Sequence, residues 1–236
     1  MKLRGQRLRT EQKYYLHLHD YIAMRSRLSN ALQLDDHSVT SDGYNIRSLY
    51  FDDVKRTSLE TKNDGIFNRQ KFRIRMYNDS DRFIALERKS KLGEYIAKEA
   101  VEITREQYDK IMTGEYEFLK QSEESLLREF YAALQTYGYQ PTTIVDYWRE
   151  AYIYSYGNVR ITFDKRLAVG SNNLDIFHPE LSHSEILPPA LTIMEVKYDD
   201  MLPEKVRQLL RPTANLRSSI SKYVLCREKL MHLHTQ

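Results

Sequence analysis

The feature that most constrains this chain is an alternation of charged and apolar side chains in two neighbouring stretches, 71–77 (KFRIRMY) and 83–91 (FIALERKSK). Arg73 and Arg75 alternate with apolar residues in the first stretch, and Lys89 lies on the charged side of the second. A period of two indicates strands whose successive side chains point to opposite faces. The short polar segment between the stretches is typical of a hairpin turn. The sequence therefore predicts a hairpin with one apolar face and one charged, mostly basic face.

Six further stretches are predicted strands, and they follow one another in hairpin-like succession. They are Glu11–Leu18, Tyr44–Phe51, Tyr95–Ile103, Thr142–Tyr154, Val159–Leu167 and Leu191–Tyr198. Neither a βαβ alternation nor a repeat of about 20–50 residues is visible. Eight antiparallel strands can close into a barrel. We therefore predict an α+β fold, an eight-stranded antiparallel β-barrel with a polar, basic interior and helices packed outside.

Helices are predicted between and after these strands. The predicted helices run from the N-cap Asp20 to Leu32, from Thr104 to Gly114, over Glu123–Tyr137, from Pro203 onward and over about Asn215–His232. The residues after Thr104 form a capping-box pattern. A short helix is also expected within 55–68, and an irregular insert over 170–189. No linker composition divides the chain, so we predict a single domain over 1–236, with 1–9 as a basic tail.

Composition excludes several classes of function. The 36 basic and 33 acidic residues leave a net charge of only +3, which is too balanced to indicate nucleic-acid binding. The single cysteine, Cys226, excludes an internal disulfide and fits a reducing, cytoplasmic compartment. No apolar run is long enough for a membrane span, and the histidines lack zinc-site spacing. The absence of a Walker A loop means that any ATP must be bound through side chains.

The charged residues that lie opposite the apolar faces would share the barrel interior. They are Glu11, Lys13, Arg73, Arg75, Glu87, Lys89, Lys98, Arg149, Arg160, Glu195 and Lys197. Such an interior has to hold water, ions or a charged ligand, because an unpaired buried charge is very costly. Clustered Arg and Lys focus a positive potential that suits phosphate. The few carboxylates suit Mg²⁺ or Mn²⁺, which take oxygen ligands together with substrate phosphates.

Eight stretches, in their order and spacing, carry a resemblance to a known family. They are EQKYYL (11–16), RSLYFDD (47–53), KFRIRMYN (71–78), LERKSKLGEYIAKE (86–99), IVDYWREAY (144–152), VRITFDKRL (159–167), IMEVKYD (193–199) and SISKYVLC (219–226). The chain resembles the triphosphate tunnel metalloenzymes, and among them the catalytic domain of the VTC polyphosphate polymerases in a stand-alone, bacterial-type form. The resemblance implies a tunnel in which the terminal phosphoryl group of ATP passes to a growing polyphosphate chain.

The resemblance also implies roles for individual residues. By position, the phosphate-binding residues would be Lys13, Arg73, Arg75, Lys89, Lys98, Arg149, Arg160, Lys197, Ser221 and Lys222. Arg73, Arg75, Lys89 and Glu195 would be the catalytic set. Glu195 would bind the metal, Mn²⁺ or Mg²⁺, with Glu87 and Glu11 as further candidates.

One departure from the wider superfamily concerns its E-x-E-x-K pattern. Arg9 replaces the first glutamate, which removes one metal ligand and favours the VTC branch over the hydrolase and cyclase branches. The expected partners are ATP and inorganic polyphosphate or triphosphate, with no nucleic acid, and a membrane-protein partner would be needed to translocate the product. Two alternatives stay open, a metal-dependent triphosphatase or nucleoside triphosphate hydrolase and a non-catalytic polyphosphate-binding module. Glu195 favours an enzyme, because a pure anion-binding site needs no carboxylate.

Overall fold

The structure is a computed structural model that describes residues 2–3, 6–36, 38, 40, 42–55, 57, 68–93, 95–210 and 217–233. The short helix predicted within 55–68 falls mostly outside the described residues. Within the described residues, the chain forms twelve strands and six α-helices.

A closed antiparallel barrel forms the centre of the molecule. Its eight strands are β3 (Arg9–His17), β5 (Tyr44–Asp52), β6 (Asn68–Tyr77), β7 (Ser80–Leu92), β8 (Tyr95–Ile103), β9 (Gln140–Tyr154), β10 (Val159–Gly170) and β12 (Leu191–Tyr198). They pair in the order β10-β12-β3-β8-β7-β6-β5-β9, and β9 pairs back to β10. This confirms the predicted eight-stranded α+β barrel.

Few residue pairs join β3 to β8 in the barrel wall. These strands share only two residue pairs, Arg9 with Ile96 and Thr10 with Tyr95. Beyond this point, the segment 217–221 runs against β3, and its Ser218 amide donates to the Lys13 carbonyl at 2.9 Å. This segment leads directly into the last helix, so the C-terminal part of the chain completes the wall.

The hairpin between β6 and β7 turns more tightly than the sequence suggests. Only Asn78 and Asp79 lie between the strands, and both have positive φ, at 53° and 51°. Two consecutive left-handed residues define the type I′ turn, whose twist matches that of the strands on either side. A register shift between Arg75 and Tyr77 separates the turn from the regular part of the hairpin, in which Arg73 lies opposite Glu87.

Helices pack around the outside of the barrel. They are α1 (Leu18–Ala31), α2 (Arg105–Thr113), α3 (Glu117–Lys120), α4 (Ser125–Thr136), α5 (Glu204–Leu209) and α6 (Lys222–Leu233). The predicted capping box at Thr104 is present at the start of α2. Phe130 of α4 packs on Phe51 and Phe72 of the barrel wall, with ring centroids 5.0 and 5.3 Å apart. The apolar faces of the strands thus point outward, toward the helices.

Some predicted element boundaries are wrong. Helix α1 begins at Leu18 with His17 at the N-cap, not with Asp20, because β3 runs directly into it. The last helix begins at Lys222 rather than near Asn215, because 217–221 pairs with β3. The irregular insert over 170–189 contains the short strand β11 (His183–Glu185), which pairs with β10.

The predicted basic tail over 1–9 is also wrong in part. Two-residue strands β1 (Lys2–Leu3) and β2 (Gln6–Arg7) pair with each other, Leu8 is buried, and Arg9 already belongs to β3. Another two-residue strand, β4 (Gln33–Leu34), follows α1 and pairs with β9. Strands this short carry too few residues for an alternation pattern to be detected.

Candidate functional site

The interior of the barrel holds a cavity of about 740 Å³ whose wall is mostly cationic. Among the described residues, thirteen basic ones line it, namely Arg9, Lys13, Lys71, Arg73, Arg75, Lys89, Lys91, Lys98, Arg149, Arg160, Lys197, Arg217 and Lys222. The acidic lining residues in the described part of the chain are Glu11 and Glu195. Low-dielectric walls of one dominant sign focus a strong potential, so the cavity attracts anions.

Glu11 and Glu195 lie on neighbouring strands at one side of the cavity. The register of β12 and β3 places Glu195 opposite Lys13 and Lys197 opposite Glu11. Lys13 Nζ bridges the two carboxylates, 3.2 Å from Glu11 and 3.7 Å from Glu195. Burial would raise the pKa of Glu195, but Lys197, Lys13 and Lys222 outweigh burial and hold its pKa well below the ordinary value. Both carboxylates are therefore ionised, and the pKa of Glu11 is lowered to about 2 against the effect of burial.

Lys89 shows how much positive charge the cavity contains. Its Nζ donates to both oxygens of Glu11, at 3.0 and 3.1 Å. Even so, burial together with repulsion from Lys13 and Lys197 exceeds this attraction and lowers the pKa of Lys89 to about 7. An anion in the cavity would relieve this repulsion, because each added negative charge favours the charged form of the amine.

Arg73, Arg75 and Lys98 meet at a carboxylate just behind the cavity wall. Glu87 Oε2 accepts from Arg73 at 2.6 Å, and Glu87 Oε1 accepts from Lys98 at 3.0 Å. Arg75 lies 3.7 Å from the same carboxylate. Burial opposes ionisation of Glu87, but these cations hold its pKa well below the ordinary value. Glu87 therefore positions these cations, and its role as a metal ligand stays a prediction.

A second buried carboxylate, Asp164, organises the opposite wall. Arg149 makes a two-point ion pair with it, at 2.6 and 2.8 Å, and Lys222 Nζ lies 2.5 Å from it. Lys222 comes from the first turn of α6, so Asp164 ties that helix to the barrel interior. Lys222 also lies 5.0 Å from the ring centre of Tyr147 and 3.7 Å from Glu195.

The remaining predicted residues lie at the ends of the cavity. Arg160 pairs with Asp35 at 2.5 Å and donates to the Tyr44 hydroxyl at 2.9 Å. Ser221 lines the cavity just before α6, and its hydroxyl lies 3.5 Å from the Val224 amide. The structure thus brings all ten predicted phosphate-binding residues to one cavity. Their binding roles stay predictions.

Sequence reasoning left out several residues of the wall, namely Tyr44, Tyr50, Lys71, Tyr77, Lys91, Tyr147 and Arg217. It also left out Asp164, although Asp164 has the same parity along its strand as Arg160. Lys71 likewise has the parity of Arg73, so strand alternation alone could have found both. Arg217 lies outside any strand or helix of regular pattern, and no signal in the sequence places it.

The donor set determines which kind of metal ion this cavity suits. Within the described residues, no group of three or more His, Cys, Asp or Glu is arranged to hold a metal. Glu11 and Glu195 nevertheless face the cavity as ionised carboxylates. Mg²⁺ in phosphate-handling sites is commonly held by one or two carboxylates plus substrate phosphates. The residues present therefore fit a divalent ion that is bound together with a phosphate ligand.

A closed eight-stranded barrel around a basic cavity is the triphosphate tunnel fold. The chain belongs to the VTC domain family, whose family model matches residues 8–231. No curated protein matches the sequence.

Solved structures resemble the chain at low sequence identity. One is the PH1819 protein of Pyrococcus horikoshii OT3, with 15% identity, coverage of 94% of this chain and 99% of the other, and a TM-score of 0.48. Another is the PH1012 protein of the same organism, with 11% identity, coverage of 87% and 92%, and a TM-score of 0.46. A chain of the Schizosaccharomyces pombe Mediator head module matches with 9% identity, coverage of 89% and 98%, and a TM-score of 0.51. At such identity, the likeness concerns the fold alone.

None of the helices in the described residues combines the length and the apolar character that crossing a bilayer requires.

Proposed function

We propose that this protein is a polyphosphate-forming phosphotransferase that moves the γ-phosphoryl group of ATP onto inorganic polyphosphate. The observation that carries the proposal is the convergence, among the described residues, of thirteen basic side chains and two ionised carboxylates on one cavity. Membership of the VTC domain family supports it.

The reaction requires little covalent participation by the protein. The bond between the β-γ bridging oxygen and the γ-phosphorus of ATP breaks, a bond from the terminal oxygen of the acceptor chain to that phosphorus forms, and ADP leaves. Phosphoryl transfer depends on in-line positioning and on positive charge near the equatorial oxygens. Arg73, Arg75 and Lys89 would supply that charge, since all three line the cavity and are held by ionised carboxylates.

The ionised cavity carboxylates are poor candidates for the general base that a water nucleophile would need. Water would need a proton acceptor, and a good general base has a pKa near the working pH. Glu11, with a pKa of about 2, and Glu195, whose pKa is also lowered, are weak bases. A terminal phosphate is already ionised near neutral pH and needs no base.

Glu195, with Glu11, would hold a divalent ion, Mn²⁺ or Mg²⁺, bound with the phosphates. Such an ion neutralises charge on the transferred group. Lys13 bridges the same two carboxylates, so it would keep them in place when no ion is bound.

The proposal is tested by incubating the purified protein with ATP and Mn²⁺ and separating the products by chain length. Long-chain polyphosphate with an equivalent amount of ADP is expected. Orthophosphate in place of a polymer would mean that the protein is a hydrolase. Binding of ATP without turnover would mean that it is a binding module.

Glu195→Gln tests the assignment of the metal ligand. We expect turnover with Mn²⁺ to fall about 100-fold or more, because a main ligand and its charge are lost. In contrast, binding of tripolyphosphate without metal should be unchanged or tighter, because Lys13, Lys197 and Lys222 lose a competing anion. Calorimetric titration and the product assay measure the two effects separately. Full activity of Glu195→Gln would show that the assignment is wrong.

A further inference from the structure

One mouth of the barrel carries a row of aromatic side chains. Tyr44 and Tyr77 have ring centroids 6.0 Å apart, and Tyr77 and Phe83 have ring centroids 6.0 Å apart. The row runs from inside to outside, since Tyr44 is 2% exposed, Tyr77 is half-buried and Phe83 is 46% exposed. We call these three residues the aromatic mouth.

Strand directions place the aromatic mouth at one end of the basic cavity. Strand β5 begins at Tyr44 and β6 ends at Tyr77, and both residues line the cavity. Phe83 of β7 packs beside Tyr77 and is 46% exposed, so it extends the row outward from the cavity. At the other end of β6, Lys71 lies 4.3 Å from the ring centre of Tyr223 in α6. The aromatic mouth therefore lies at the end of the barrel away from α6.

The aromatic mouth is joined directly to cationic residues. Arg160 Nη2 donates to the Tyr44 hydroxyl at 2.9 Å. Arg75 lies two residues before Tyr77 on β6 and also lines the cavity. It donates to the Tyr147 hydroxyl at 3.3 Å. A ligand at this mouth would thus meet flat aromatic rings first and guanidinium groups next.

We infer that the aromatic mouth binds the base of a nucleoside triphosphate whose phosphates lie among the arginines and lysines of the cavity. The inference rests on the proposed function, because it assigns an end of the same cavity to the nucleoside. Exposed aromatic rings beside a cationic groove are the arrangement by which proteins stack bases next to bound phosphates. Phe83 carries no polar group, and under this inference its half-exposed ring would stack on the base and cover it.

Polar groups near the mouth are already used within the protein. The Asn78 side-chain oxygen accepts from the Asn45 amide at 3.0 Å, and the Asn45 side chain donates to Asp146 at 2.8 Å. The Asn78 side-chain oxygen and the Asn45 side-chain nitrogen are thus used within the protein, and the inference assigns the base to stacking on the rings. Because stacking alone tolerates every base, ATP and GTP should bind within about threefold of each other.

The experiment compares the binding of ATP with that of inorganic tripolyphosphate, which has no base, by calorimetry without metal. Phe83→Ala and Tyr77→Ala should each weaken ATP binding about tenfold and tripolyphosphate binding less than about twofold. Tyr77→Phe, which keeps the ring, should bind ATP like the wild type. Tyr137→Ala removes an exposed aromatic ring just after α4 and is the matched control, with no expected change.

The outcomes separate the inference from the proposed function. Equal losses for both ligands, or no loss for ATP, would overturn the inference while leaving phosphate binding in the cavity intact. If the wild-type protein binds neither ligand, the proposed function and the inference both fail. Because Phe83 is half exposed, Phe83→Ala should disturb folding less than the other substitutions. The melting temperature of this variant, compared with that of the wild type, checks this.

Discussion

Arg73 occupies the middle of the cavity wall and is held from two sides. Glu87 accepts from its guanidinium at 2.6 and 2.8 Å, and Arg73 Nη1 donates to the Tyr50 hydroxyl at 2.8 Å. These contacts fix the guanidinium before any ligand arrives, so little side-chain entropy is lost on binding. A fixed guanidinium fork suits the oxygens of a phosphate better than a flexible amine does.

Arg73→Ala should therefore weaken tripolyphosphate binding about tenfold to 100-fold, because a hydrogen bond to a charged group contributes about 1.5–3 kcal/mol. Arg73→Lys keeps the charge and loses the guanidinium fork. Its affinity for tripolyphosphate should lie between those of the wild type and Arg73→Ala. Calorimetry without metal measures the affinities. Arg82→Ala is the control, since Arg82 lies exposed near the start of β7. Equal losses in Arg73→Ala and Arg82→Ala would contradict the inward orientation of Arg73.

The sequence predicts single residues well when they lie on an alternating strand. The parity argument identified Arg73 because its neighbours Phe72 and Ile74 are apolar and the period is two. It could not show how the charges neutralise one another, since the pairing of Arg149 with Asp164 joins different strands. Such contacts depend on strand register, which the sequence alone leaves undetermined here.

Among the elements, α1 is attached to the barrel through a buried carboxylate. Glu150 of β9 is fully buried and accepts from Tyr21 and Arg25 of α1, each at 2.8 Å, and from Tyr152. Lys165 lies 3.3 Å away. Burial would raise the pKa of Glu150, but the hydrogen bonds from Tyr152, Arg25 and Tyr21 outweigh burial and lower it. Ionised Glu150 therefore stabilises the folded state.

Glu150→Gln should lower the free energy of unfolding by about 2 kcal/mol at pH 7, because one charge-assisted set of hydrogen bonds is lost. A lowered folded-state pKa gives stability that is fully present above the unfolded pKa and lost as the pH falls through the folded value. The difference between wild type and variant should thus persist down to about pH 4.5 and shrink below it. Urea unfolding at several pH values measures this.

The exposed Glu123 provides the control for this experiment, since Glu123→Gln should change stability little at any of these pH values. If the difference between wild type and Glu150→Gln grew as the pH fell, the assignment of Glu150 as an ionised group would be wrong.

The boundaries of the elements were harder to predict than their existence. The eight barrel strands follow from alternation, and α2 from its capping box at Thr104. The start of α6 at Lys222 could not be predicted, because segment 217–221 is extended only through its contact with β3. Strands β1, β2 and β4 are likewise formed by pairing and not by local preference.

At the scale of the whole molecule, charge is arranged rather than accumulated. The chain has a net charge of only +3, yet thirteen basic side chains of the described residues line one cavity against two lining carboxylates. Glu87 and Asp164, which lie just behind the cavity wall, reduce the excess of positive charge without removing it. The folded state without ligand therefore contains repulsion that the unfolded chain, exposed to water and salt, largely lacks.

A polyphosphate ligand should consequently stabilise the entire fold. At 100 times its dissociation constant, tripolyphosphate should add about 2.7 kcal/mol to the free energy of unfolding. For a chain of this size, that corresponds to a rise in melting temperature of about 5–10 °C. NaCl at the same ionic strength should give a much smaller rise, because monovalent ions screen the cavity without bridging its cations. Equal rises with NaCl and tripolyphosphate would show that the cavity has no specific affinity for a phosphate chain, and Arg73→Ala should show a reduced response to tripolyphosphate only.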